Sequence, residues 1–237
     1  MTQDEDTMSL LEHLEELRSR LIKVVISVVL AAVVGFILAR PVIEILMAPL
    51  PDEYERLVIL GPADAFSVQL KVAVFLGIAF AMPVILFHIW RFVTPGLTSG
   101  ERRFVWPAVL VAMLLFVLGM GVGYLVLSYA LTFLLGFAEG FFEVTLTAER
   151  YIGFVTTMLL AFGLVFEFPV VLIGLSRVGI LSYRRLAAQR RWALLGIVVA
   201  AVLLTPGGDV FSPMIMSGLM YVLFEGSLLV IRLSRRG

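Results

Sequence analysis

The stretch AFGLVFEFPVVL, Ala161 to Leu172, holds a single carboxylate, Glu167, in an otherwise apolar run and places a proline two residues after it. Such a run belongs either to a buried helix of a soluble core or to a helix in a bilayer. The rest of the chain decides between them. Of 237 residues, 61% are hydrophobic and 15% charged, with a mean hydropathy of +1.05. Soluble domains are only roughly half apolar, so the sequence reads as a membrane protein. Its formal charge of +0 hides an uneven layout, because long uncharged runs alternate with short segments that hold nearly all the Arg and Lys.

Hydropathy and periodicity predict an all-α, polytopic chain with six membrane helices, about Leu21 to Ala39, Ala65 to Trp90, Phe104 to Leu134, Tyr151 to Val178, Trp192 to Thr205 and Met214 to Ile231. No linker separates domains, so residues 1–237 form one integral-membrane unit. Within it, 1–20 is a cytoplasmic amphipathic segment and 40–64 an outer cap loop with short surface helices. One set of connecting segments carries Arg18, Arg20, Lys23, Arg91, Arg102, Arg103, Arg177, Arg184, Arg185, Arg190, Arg191, Arg232, Arg235 and Arg236. The other carries only Arg40, Arg56, Lys71 and Arg150. The positive-inside rule then places both termini in the cytoplasm. The acidic N-terminus is neither a signal peptide nor an Arg-rich transit sequence. The fifth helix, about fourteen residues, would be roughly 21 Å long against a hydrocarbon core of about 30 Å, whereas the third is much longer. Uneven helix heights, with short helices five and six, predict a concave, glove-like arrangement.

Laying LGIAFAMPVILFHIWR on FGLVFEFPVVLIGLSR matches Gly77 with Gly163, Phe80 with Phe166, Pro83 with Pro169 and Arg91 with Arg177. Two readings stand: a parallel duplicated hairpin, or chance similarity between apolar segments. In either case Ala81 occupies the position of Glu167, so a proline bend manages without an acid.

In SLLEHLEELRSRL, Leu10, Leu14, Leu17 and Leu21 form an apolar stripe, and Ser9 and Glu12 have capping-box spacing. Glu16 can pair with Arg20 at i,i+4, a surface contact worth about 0.2–0.5 kcal/mol. Thr98 and Glu101 likewise fit a capping box, opening the third helix. The aromatic-proline turn at Phe92 and Pro95 has no such structural explanation. It shares a cytoplasmic face with Glu16 and Glu101, an arrangement suited to a basic, partly apolar peptide.

Glu167 is different. An ionised side chain deep in a membrane helix costs at least about 2.5–3.5 kcal/mol, and such acids mark functional sites by default. The bland alternative is a neutral carboxyl hydrogen-bonded to a nearby helix, for instance to the Val165 carbonyl, which Pro169 leaves without its usual donor. Glu225, near the inner end of the sixth helix, is expected to reach the interface or pair with Arg232. No zinc-protease, serine-hydrolase or phosphate-loop motif is present, there is no cysteine, and only His13 and His88 are histidines. These features point to no catalytic residue, no metal and no cofactor. The Arg clusters follow from topology and imply no nucleic acid.

HLEELRSR from His13, FVTPGLTSGERR, AFGLVFEFPVV and LLTPGGDVFS, in this order on a six-helix chain, resemble the TatC family, the receptor subunit of the twin-arginine protein translocase. The resemblance covers essentially the whole chain. It implies a multi-pass protein of a bacterial or archaeal cytoplasmic membrane that binds twin-arginine signal peptides of folded cargo. It also implies assembly with TatA and TatB, small single-span subunits, in an oligomeric complex within membrane lipid. The family's signal-recognition acids fall on Glu16 and Glu101, its recognition-loop residues on Phe92, Pro95 and Leu97, and its intramembrane acid on Glu167. A guanidinium can bond a carboxylate bidentately where lysine offers only a point charge, so two acids would select two arginines. TPGGDVFS has one residue more between Pro206 and Asp209 than the family's usual spacing, which leaves Asp209 without an assigned role. The competing reading, from Glu167 alone, is a proton-coupled small-solute transporter. Against it stand a single deep acid and the lack of broken helix pairs in inverted halves.

Overall fold

The structure, a computed structural model, describes residues 10–51, 54, 57–93, 105–137, 144–206 and 209–234. The described residues are helical, in the order α1 (Leu10–Met47), α2 (Asp64–Val93), α3 (Val105–Gly136), α4 (Ala148–Phe166), α5 (Phe168–Arg177), α6 (Tyr183–Ala188), α7 (Arg190–Leu204) and α8 (Phe211–Ser234). They contain no strand, only an isolated parallel bridge between Val58 and Thr147. Five segments are long and apolar enough to cross a membrane: Leu14–Met47, Asp64–Phe92, Trp106–Gly136, Ala148–Arg177 and Phe211–Ser234. Helix α7 corresponds to the expected short fifth helix; its 15 residues reach only roughly 22 Å.

Three boundaries differ from the sequence reading. Helix α1 merges the amphipathic segment with the first span and runs on through Pro41 to Met47, taking the first residues of the expected cap loop. Proline removes one donor and strains one turn, and the neighbouring bonds carry the helix past it. The expected fourth helix divides into α4 and α5 around Glu167. The six-residue α6, unforeseen, is started by Ser182, whose hydroxyl accepts the Arg185 N–H at 3.3 Å.

Helix α4 is the centre of the fold, with 61% of its most apolar window buried against 6% for α1. Helices α1 and α2 form an antiparallel pair that glycines bring close. A Cβ at Gly35 would stand 2.8 Å from the Ala73 carbonyl oxygen, and one at Gly77 would stand 2.7 Å from the Ala32 Cβ. Helices α3 and α4 repeat the device: a Cβ at Gly163 would lie 2.6 Å from the Phe116 ring, and one at Gly119 2.6 Å from the Phe162 carbonyl oxygen. The echoed glycines, Gly77 and Gly163, thus do the same work, each against the helix that precedes its own.

The end of α1 shows how the exposed backbone is satisfied. The last four carbonyls of a helix have no intrahelical donor. Here Glu44 accepts from the Ala48 N–H at 3.2 Å and Met47 from the Leu50 N–H at 3.0 Å. Ile45 accepts from the Tyr124 hydroxyl at 2.8 Å and Leu46 from the Tyr151 hydroxyl at 2.7 Å. Val58 adds a second tie to α4, donating to Leu146 at 2.9 Å and accepting from Ala148 at 3.0 Å.

Tyr151→Phe leaves the buried Leu46 carbonyl without its donor, which costs about 1–3 kcal/mol. It is expected to lower the apparent melting temperature in detergent by several degrees. Tyr124→Phe, at the more exposed bond, should lower it less; an equal or larger drop would refute this account of the α1 end.

Candidate functional site

Glu167 stands between α4 and α5 with φ −74° and ψ −16°. Its N–H donates to the Leu164 carbonyl at 3.1 Å, a tightened turn, and its carbonyl accepts the Val171 N–H at 3.1 Å. Pro169 lies in the first turn of α5, where a missing N–H is tolerated. Residues 163, 167 and 170 fall on one stripe at spacings of four and three. Gly163 abuts Phe116 of α3, and Val170 packs with Met82, Leu86, Val109, Ala112 and Phe116. The acid therefore belongs to the stripe turned toward α3. It is 7% exposed, and its buried Oε1 has no hydrogen-bond partner among the described residues. The bond to the Val165 carbonyl expected of a merely structural carboxyl is not formed.

The other predicted residues lie toward the opposite end of α1. Glu16 and Arg20 are paired as the i,i+4 spacing predicted: Arg20 Nε donates to Glu16 Oε1 at 3.0 Å, and its terminal nitrogen reaches the same oxygen. Phe92 occupies the last turn of α2 and is half-buried. Pro95, Leu97 and Glu101 lie outside the described residues, as do Ser9 and Thr98 of the two predicted capping boxes. The register of the α1–α2 pair relates the ends. Gly35 meets Ala73 and Leu76, and Gly77 meets Val28 and Ala32. Carried toward the start of α1, this pairing sets Glu16 level with Arg91 and Phe92.

Aromatic rings gather at this end of α2. Phe87 is 5.5 Å from Trp106 of α3, centroid to centroid, and the Arg91 guanidinium lies 6.0 Å from the Phe87 ring centroid. Trp90 touches α5, where a Cβ at Gly174 would stand 2.6 Å from its ring.

Of the two expectations for Glu225, the pairing with Arg232 is not formed. The acid pairs with Arg190 at 2.9 Å, tying α8 to α7, and accepts from the Tyr221 hydroxyl at 3.3 Å. Arg232 instead sits 5.8 Å from the Tyr183 ring centroid. Asp209 accepts the Ser212 N–H in the first turn of α8, a capping role. Sequence reasoning did not single out the tyrosine caps of α1, the Trp90–Gly174 contact or the Lys71–Glu149 ion pair at 2.8 Å. Only Lys71, a cation inside an apolar run, carried a signal that could have found one of them. Among the described residues no group of three or more His, Asp or Glu side chains could hold a metal ion.

Residues 12–218 match the family described as Sec-independent protein translocase protein (TatC). The chain is 37% identical over 228 residues to the Sec-independent protein translocase protein TatC of Carboxydothermus hydrogenoformans, covering 96% of this chain and 94% of that one. It is 35% identical to the chloroplastic TATC protein of Arabidopsis thaliana, covering 98% of this chain and 69% of the relative. A crystal structure of the twin-arginine translocase receptor TatC superposes with a TM-score of 0.80 at 35% identity, over 94% of this chain and all of that one. A second, determined in the detergent DDM, gives 0.82 at 35% identity over 93% of this chain. Sequence match and superposition agree on one multi-pass helical membrane protein, a component of a protein translocase, and the chain belongs to the TatC family.

Proposed function

We propose that this translocase subunit is the receptor for twin-arginine signal peptides, with six membrane helices, both termini in the cytoplasm, and TatA and TatB as its single-span partners. Glu16 and Glu101 take the paired arginines. Phe92, Pro95 and Leu97 shape the turn that receives the flanking residues, and Glu167 acts later, within the membrane. The supporting observation is the α1–α2 register, which sets the Glu16 turn beside Phe92, where α2 leads into residues 94–104.

The Glu16–Arg20 pair gives recognition a chemical form. A guanidinium already bonds the Glu16 carboxylate, so an incoming arginine meets an acceptor arranged for its own geometry. The apolar part of the signal then gains roughly 25 cal/mol per Å² of apolar area removed from water. Glu167 supplies a polar contact for the inserted signal or a partner helix, since its Oε1 has no bond among the described residues.

The full chain in nanodiscs is expected to bind a peptide with paired arginines at least about tenfold more tightly than its paired-lysine counterpart. Loss of one charge-assisted contact, about 1.5–3 kcal/mol, should weaken the arginine peptide about 10- to 100-fold in Glu16→Ala or Glu101→Ala. Equilibrium fluorescence anisotropy reads both, and unchanged binding in the double variant would remove the assigned roles. Glu167→Ala should keep peptide affinity within about twofold yet abolish cargo transport in membrane vesicles. Weakened binding would move the acid into recognition, and undiminished transport would strip it of a role.

A further inference from the structure

An open cavity of about 980 Å³ lies between α2 and α4, at the end of these helices remote from Phe92. Its cations are Lys71 and Arg150, and Val74, Phe154 and Leu160 give it apolar walls. Arg150 sits in the first turn of α4 and Leu160 about 15 Å farther along the same helix. The cavity is therefore cationic at its outer end and apolar along its depth.

The hydrogen bonds define what the cationic end can still hold. Lys71 Nζ donates to Glu149 Oε1 at 2.8 Å and to the Glu149 carbonyl at 3.4 Å, which leaves one of its three donors. Arg150 is exposed and has no ion pair among the described residues. Thr156 and Thr157 spend their hydroxyl protons on the Ile152 and Gly153 carbonyls, each at 2.7 Å, so they do not donate into the cavity. Lys71 and Arg150 against Glu149 leave one net positive charge there. An anion fits, bonded by the Arg150 fork and the remaining Lys71 N–H.

We propose that this cavity is a binding site for an anionic phospholipid, with the phosphate on Arg150 and Lys71 and an acyl chain running along Phe154 and Val74 toward Leu160. The argument for a lipid over a free anion is the match of polarity. The protein is embedded in lipid, Arg150 lies in the first turn of α4 with Lys71 about two turns into α2 at the same end, toward the headgroups, and the apolar walls run inward from them. Neither a free phosphate nor an acidic peptide would use those walls. The site is distinct from Glu167 and from the Glu16–Phe92 end, and it gives the subunit a preference for the lipid around it.

The test uses the full chain in phosphatidylcholine vesicles carrying a minor fraction of either dibrominated phosphatidylglycerol or dibrominated phosphatidylcholine. Phe154→Trp is the reporter, and subtracting the quenching of the unmodified chain removes Trp90, Trp106 and Trp192. One cation near an anionic lipid corresponds to about fivefold. Phosphatidylglycerol is expected to quench the reporter at about fivefold lower mole fraction than phosphatidylcholine. Arg150→Gln should erase this preference, Arg150→Lys should restore part of it, and Arg184→Gln, an exposed cation elsewhere, should leave it intact. Equal quenching by the two lipids would overturn the site, as would a preference indifferent to Arg150→Gln. Loss of the preference on adding inorganic phosphate would show a free-anion pocket instead. Absence of quenching by either lipid would mean that something other than lipid fills the cavity.

Discussion

In hydrocarbon no water stands by to satisfy a backbone N–H or C=O, so every such group must find its partner inside the protein. Long helices meet this demand along their length and fail it at their ends. The arrangement around α1 follows from that failure. Its last carbonyls are taken by two turn N–H groups and by the hydroxyls of Tyr124 and Tyr151, which come from α3 and α4. Because those donors sit on different helices, capping one end also fixes where three helices stand relative to each other. The Val58 bonds to Leu146 and Ala148 add a further connection at the same end. The opposite end is held differently, by ring contacts and by the Arg190–Glu225 pair.

The all-helical membrane class and the shortness of α7 were legible because they depend on composition and length, which any apolar run displays. The end of α1 was not. A proline after an arginine reads as a stop, yet the bonds flanking Pro41 were enough to carry the helix six residues farther. The break at Glu167 escaped for the opposite reason: Pro83 and Pro169 look alike in sequence, but α2 passes its proline unbroken while α4 ends before its own. The Glu16–Arg20 pair was visible because i,i+4 spacing is local. Arg190 with Glu225 was not, since the partners are far apart in the chain and only the packing of α7 on α8 unites them.

Ionisable groups on the apolar helices receive two treatments here. Lys71 and Glu225, both partly exposed, are each met by an opposite charge from another helix, at 2.8 and 2.9 Å. Glu167 is given no such partner among the described residues, although it is more buried than either. Proteins of this composition can place a counter-charge where one is needed, as Glu149 and Arg190 demonstrate. The unpartnered Oε1 of Glu167 is the observation behind the proposal that the acid has a task outside the resting subunit.

Helix α5 connects this acid to the Trp90–Phe92 end of α2. It begins immediately after Glu167, and its Gly174 leaves no slack against Trp90, two residues before Phe92. Pro169 deprives the junction of one helical hydrogen bond, so the angle between α4 and α5 is set largely by what α5 leans on. On one side that support is α8, and at Gly174 it is the Trp90 ring. A rotation of α5 that carried Gly174 toward α2 would run into the Trp90 ring, so this contact limits how α5 can turn in that direction. Glu167 and the Trp90 end of α2 are thus joined through the ten-residue α5, which lies against the Trp90 ring at Gly174.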